Sequence, residues 1–114
     1  MIFQREIVLI SFPFSDLQTS KVRPVVAMSN DKYNRRSDDF IAIPLTSNMN
    51  VKDYTMLITN SQLESGRLVV DSKAKVDRVF SISQSLVRMK VGRLKIESHE
   101  KLIEILLRLV RAKS

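Results

Sequence analysis

Residues 6–29 read EIVLISFPFSDLQTSKVRPVVAMS: an apolar run, a polar loop carrying Pro13, Ser15, Asp16 and Ser20, and a second apolar run entered through Arg23 and Pro24. Neither run is long enough to bury a face by itself. The same format recurs downstream in FIAIPLT (40–46), YTMLIT (54–59), RLVVD (67–71), KVDRVFSIS (75–83) and RMKVGRLKI (88–96). Several short β-rich segments separated by turn signals point to a small barrel or sandwich. The loop between the first two runs is long for a hairpin turn and delivers the chain directly to Arg23. A second irregular piece, SNDKYNRRSDD (29–39), follows the second run and has room for a short helical turn.

The ending has a different period. From about Glu97 to Ala112, Leu102, Ile103, Ile105, Leu106, Leu109 and Val110 recur at helical spacing, while Glu100, Lys101, Glu104, Arg108 and Arg111 face elsewhere. That pattern predicts one amphipathic C-terminal helix with Ser98 as its N-cap. The fold class expected is therefore mainly β with a C-terminal α-helix. At 114 residues and 44% hydrophobic, the chain suits one domain over 1–114 with a modest core. It holds no apolar stretch approaching the roughly 20 residues that span a bilayer, and Arg5 and Glu6 interrupt the N-terminus, unlike a secretory signal. A cytoplasmic location without membrane contact is expected.

Several chemistries are excluded by residue count alone. There is no cysteine, so there is no disulfide, thiolate metal site or cysteine nucleophile. The single histidine, His99, makes a Ser-His-Asp triad or a His-rich zinc site a poor expectation. The formal charge of +7 favours anionic partners. It is also unevenly placed: the excess of Lys and Arg over Asp and Glu is +1 across residues 1–60 and +6 across residues 61–114. Arg67, Lys73, Lys75, Arg78, Arg88, Lys90, Arg93 and Lys95 face only Asp71 and Asp77 within their segment. Such an imbalance fits an anion-binding surface at least as well as a merely solvated face.

Three places stand out for chemistry. Pro24 disfavours α conformation at Arg23 and lacks an N–H, so the arginine is held extended at a strand entrance. Its planar fork of donors matches phosphate oxygens. A surface arginine at a loop–strand junction is the ordinary reading of the same residues. Pro44 marks a second junction, where the strand turns polar at Thr46, Ser47 and Asn48. Thr46 is able to donate to a phosphate oxygen, although capping a strand end is the commoner role. If KAKVDRVF (73–80) is a strand, Lys75, Asp77, Val79 and Ser81 share one face and Val76, Arg78, Phe80 and Ile82 the other. Farther on, Val87, Met89 and Val91 alternate with Arg88 and Lys90 until Gly92, where the phase changes and Leu94 and Ile96 become the apolar pair. A bulge or turn is expected at that glycine.

Taken in order, EIVLISFPFSDLQTSKVRPVVAMSND, FIAIPLTSN, KVDRVFSISQSLV and VGRLKIESHEKLIEILLRL resemble the MazF/PemK-like toxins of bacterial toxin–antitoxin systems, over nearly the whole chain. The resemblance implies a small SH3-like β-barrel with a C-terminal amphipathic helix, a homodimer, and a metal-independent endoribonuclease without cofactor that cuts single-stranded RNA. It implies an acidic, partly disordered antitoxin as protein partner, and DNA contact only through that antitoxin. The family arginine of the RP motif falls on Arg23 and the family threonine on Thr46, and a basic and an acidic residue two apart match Lys75 and Asp77. Phe14, Lys21, Ser47 and Arg78 are the expected RNA contacts around them, with Phe12 and Phe14 flanking the loop as possible stacking surfaces. Two features depart from the family pattern. Relatives place a glycine just before the first strand where this chain has Arg5, and the histidine that some carry in the loop before the RP motif is absent. Two rival functions fit the same features: a non-enzymatic toxin resembling gyrase inhibitors, acting through the C-terminal helix, and a catalytically silent nucleic-acid-binding barrel.

Overall fold

In the computed structural model, which describes residues 1–11 and 22–112, eight strands form: β1 (Glu6–Ser11), β2 (Val22–Ala27), β3 (Asp39–Thr46), β4 (Thr55–Ile58), β5 (Leu63–Gly66), β6 (Ser72–Lys75), β7 (Phe80–Ser83) and β8 (Val87–Leu94). Two helices accompany them, α1 (Asp31–Arg36) and α2 (Ile96–Val110). Phe12, Phe14 and Lys21 lie outside the described residues. The strands run antiparallel in the order β4-β6-β3-β2-β1-β8-β5, and β7 also pairs with β3. This curled half-barrel closed by a C-terminal helix is the mainly β architecture expected.

The sheet is apolar on both sides, and each side has its own cluster. Inside the curl, Ile7, Val26, Ile43, Leu45, Ile58, Val76 and Leu94 pack together, and Leu102 of α2 closes them from above. On the opposite side, Val8, Ile10, Val25, Phe40 and Ala42 pack with Ile2 and Ile82. Burying both faces explains why β1 and β2 read as continuous apolar runs. α1 is held by Asn30, whose side-chain oxygen accepts from the Tyr33 N–H at 2.8 Å.

Four sequence expectations are corrected. The KAKVDRVF segment is not one strand. β3 advances three residues from Ala42 to Leu45 while its partner chain advances six, from Ala74 to Phe80. The surplus forms a single 3₁₀ turn, Val76–Arg78, with Val76 buried and Asp77 and Arg78 exposed. RLVVD is not a strand either. β5 ends at Gly66 (φ 76°), and the Asn60 side chain then takes over the bonding, accepting from the Leu68 N–H at 2.7 Å and donating to the Leu68 carbonyl at 3.3 Å.

The phase of β8 breaks twice. Ile7 pairs with Gly92 but Val8 with Lys90, leaving Val91 as a bulge beside the expected glycine. Leu9 pairs with Met89 but Ile10 with Val87, so a second irregularity puts Val87 and Met89 on different faces. Finally, α2 begins at Ile96 with Lys95 at the N-cap and no side-chain cap bond. Ser98 is buried inside the first turn, because Ile96 continues into the helix rather than pairing with Leu94.

Arg5, just before β1, has a φ of 77°, in the left-handed region that favours glycine. An L-residue pays a steric cost there, and four bonds hold it, among them one from the Leu94 N–H to its carbonyl at 2.8 Å. Its N–H donates to the Ala27 carbonyl at 2.8 Å, and its guanidinium donates to the Leu94 carbonyl at 2.6 Å and to Glu64 at 2.8 Å.

Candidate nucleic-acid interface

Cross-strand pairing decides which polar side chains meet, because residues directly opposite each other in an antiparallel pair point to the same face. Arg23 is the second residue of β2 and stands opposite Ile10. β2 and β3 pair Val25 with Pro44, and extending this register by two residues sets Arg23 across from Thr46. Thr46 in turn stands opposite Lys73 of β6, and Lys73 opposite Leu57 of β4. Lys75, two residues along β6, shares that face and pairs with Thr55. Arg23, Thr46 and Lys75 are therefore brought onto one face, outside the curl and beside the smaller apolar cluster.

The remaining expected residues sit around it. Ser47 is exposed just past the end of β3. Asp77 and Arg78 ride on the 3₁₀ turn that follows Lys75, not on a strand with it. The Thr46 hydroxyl oxygen accepts from the Asn48 N–H at 3.1 Å, which fixes the side chain and leaves its own O–H free to donate outward. Lys73 was not singled out as a site residue from the sequence. Its alternation with Lys75 was visible there, but its position opposite Thr46 depends on pairing between strands 27 residues apart.

Among the described residues the ion pairs are Arg5–Glu64 at 2.8 Å, Lys90–Glu6 at 3.2 Å and Arg93–Glu64 at 4.0 Å, all on the β1, β5 and β8 side. None engages Arg23, Lys73, Lys75 or Arg78. Asp77, adjacent to Arg78, and Asp71, two residues before Lys73, are the carboxylates nearest them in the chain. Among the described residues no three His, Asp or Glu side chains gather in a metal-binding group, and no helix is long and apolar enough to cross a membrane. Phosphate oxygens would find here a planar fork, an oriented hydroxyl and two ammonium groups, the donor set that suits a phosphodiester.

On the inner side of β1 and β2 lies an apolar groove of about 340 Å³ lined by Leu9, Pro24, Leu68, Val70 and Met89, with Arg67 beside them. Arg23 and Pro24, adjacent in sequence, thus serve opposite faces of the sheet.

Comparison with known proteins adds a family. The family model described as the PemK-like, MazF-like toxin of type II toxin–antitoxin systems matches residues 3–110. Among solved structures, the MazE–MazF complex (Form-III) from Deinococcus radiodurans superposes with a TM-score of 0.80 at 16% identity, over 99% of this chain and 98% of that one. An endoribonuclease in complex with its cognate antitoxin from a mycobacterial species gives 0.74 at 14% identity, covering 94% and 92%. The Mycobacterium tuberculosis toxin MazF-mt6 gives 0.73 at 16% identity, covering 91% and 94%. At these identities the likeness is one of fold. Among curated protein sequences none matches the chain.

Proposed function

This chain belongs to the PemK-like, MazF-like toxins of type II toxin–antitoxin systems, and from that premise we propose that it is a cytoplasmic endoribonuclease, a single toxin domain over residues 1–114 that cuts single-stranded RNA. The observation that carries the reading is the shared face of Arg23, Thr46 and Lys75, where cations without an ion pair among the described residues gather around a strand-end hydroxyl.

Cleavage of RNA by its own 2′-OH makes the required groups explicit. The 2′-oxygen attacks the adjacent phosphorus, its proton passes to an acceptor, negative charge grows on the phosphoryl oxygens, and the 5′-oxygen leaves with a proton taken from solvent water. The products are a 2′,3′-cyclic phosphate and a free 5′-OH. Arg23 grips the scissile phosphate in bidentate fashion and Thr46 donates to it. Lys75 stabilises the growing charge. Asp77 is the acceptor, since a guanidinium with a pKa above about 12 is a poor base at neutral pH. Phe14, Lys21, Ser47 and Arg78 contact the flanking RNA. The antitoxin partner is an acidic segment whose apolar side chains enter the groove at Leu9, Pro24 and Met89 while its carboxylates meet Arg67; through it the toxin reaches DNA.

The test is incubation of purified protein with a long single-stranded RNA in EDTA, beside an Arg23→Ala variant, with mapping of 5′ ends. Discrete cuts are expected, slowed about 10²- to 10³-fold in the variant, the usual effect of removing one transition-state donor. Intact RNA together with undiminished toxicity of Arg23→Ala would overturn the enzyme. That outcome would favour the gyrase-inhibitor-like reading, which has its own support: Leu107 and Val110 of α2 are 41% and 66% exposed and offer a protein-binding stripe.

A further inference from the structure

The row that contains Arg23 and Thr46 does not stop at them. It continues through Lys73 to Leu57 on β4. Neighbouring strands lie about 4.8 Å apart, so β2 to β4 covers about 14 Å, more than one nucleotide can occupy. Leu57 is 48% exposed at the far end, an apolar side chain on a face otherwise made of Thr46, Thr55, Lys73 and Lys75. Lys73 is aimed rather than loose: its ammonium donates to the Val51 carbonyl at 2.8 Å, which ties it to the loop following Thr46. One of its three donors is used there and two remain.

Resting on the ribonuclease reading above, we infer that single-stranded RNA crosses the sheet along this row, with Lys73 binding the phosphate next to the scissile one and a neighbouring base packing on Leu57. A backbone-following line of cations beside an apolar platform is how proteins hold single strands without reading every base. An acidic protein segment would use the cations equally well, so the test includes one as a rival ligand. Lys73 is here a binding residue, distinct from the groups that act on the scissile bond.

The test separates binding from cutting. A mixed-sequence single-stranded RNA, 2′-O-methylated throughout so that no 2′-OH can attack, is titrated by fluorescence anisotropy over a range of KCl concentrations. Lys73→Met, which keeps the stem, is expected to weaken binding and to lower the slope of log affinity against log salt by about 0.7, the value for one phosphate contact on a single strand. Lys73→Arg restores the slope. Leu57→Ser weakens binding with the slope retained. Lys101→Met, which removes the same charge from the exposed side of α2, keeps the wild-type slope. Loss of the Val51 tether alone would alter affinity without altering the slope, so that outcome overturns the phosphate contact. An unchanged slope and affinity in Lys73→Met also overturns it, as does an equal fall in Lys101→Met. Weakened binding of a polyglutamate peptide with RNA binding intact would assign the row to an acidic protein instead. The probe cannot be cut, so failure of the ribonuclease assay leaves these results readable on their own.

Discussion

His99 shows how one residue's environment sets a property of the whole. It is 4% exposed in the first turn of α2, and its Nε2 is buried without a partner among the described residues. Burial pushes its pKa below the usual imidazole range, opposed by a backbone hydrogen bond at Met28 and by Glu100, while Arg5 lowers it further. The folded protein therefore holds fewer protons on this ring than the unfolded chain does. Stability is full above the unfolded value near 6.5 and is lost as pH falls through it toward the lowered folded value. Urea unfolding from pH 7.5 down to pH 5 should show a loss of up to about 1.4 kcal/mol per pH unit from this group. His99→Gln should flatten that part of the profile; an unchanged pH slope in the variant would refute the assignment. The histidine count was plain in the sequence, but its burial was not, because the register of α2 on the barrel decides which helical residues face inward.

At the scale of elements, the glycines of β5 and β8 matter more than their number suggests. A Cβ on Gly92 would lie 2.6 Å from the Ser65 carbonyl oxygen, and one on Gly66 2.1 Å from that of Val91. Both contacts are backbone, so neither neighbour gives way easily. Gly92→Ala should cost about 1–3 kcal/mol in thermal or urea unfolding by forcing β5 away from β8. A variant as stable as wild type would mean that the strands separate without penalty. The helix and most strands were legible because hydrophobic period survives in the bare sequence. The 3₁₀ turn at Val76–Arg78 was not. It arises from a mismatch between two ladders on one edge of β3, and an alternating sequence such as KAKVDRVF carries no mark of the residues that its partners leave unpaired.

For the whole molecule, Lys73 and Lys75 of the basic second half end up on the same face as Arg23 of the first, since β6 pairs with β3 and β3 with β2. The homodimer expected from the family pattern is a proposal at this scale. Light scattering at micromolar concentration should return twice the 13.1 kDa chain mass, and a monomeric mass would contradict it.

Sequence by itself determined the repertoire of this protein: short apolar strands, one amphipathic helix, no thiol chemistry, a basic second half, and an arginine held extended by the proline after it. Those properties reside in residue type and local spacing, which need no partner to be expressed. Tertiary structure alone decided that Thr46 meets Lys73, that Asp77 rides on a turn rather than a strand, that Arg5 takes a glycine's conformation, and that His99 is buried. Each of these depends on register between segments far apart in the chain, where a shift of one residue would turn every side chain to the other face.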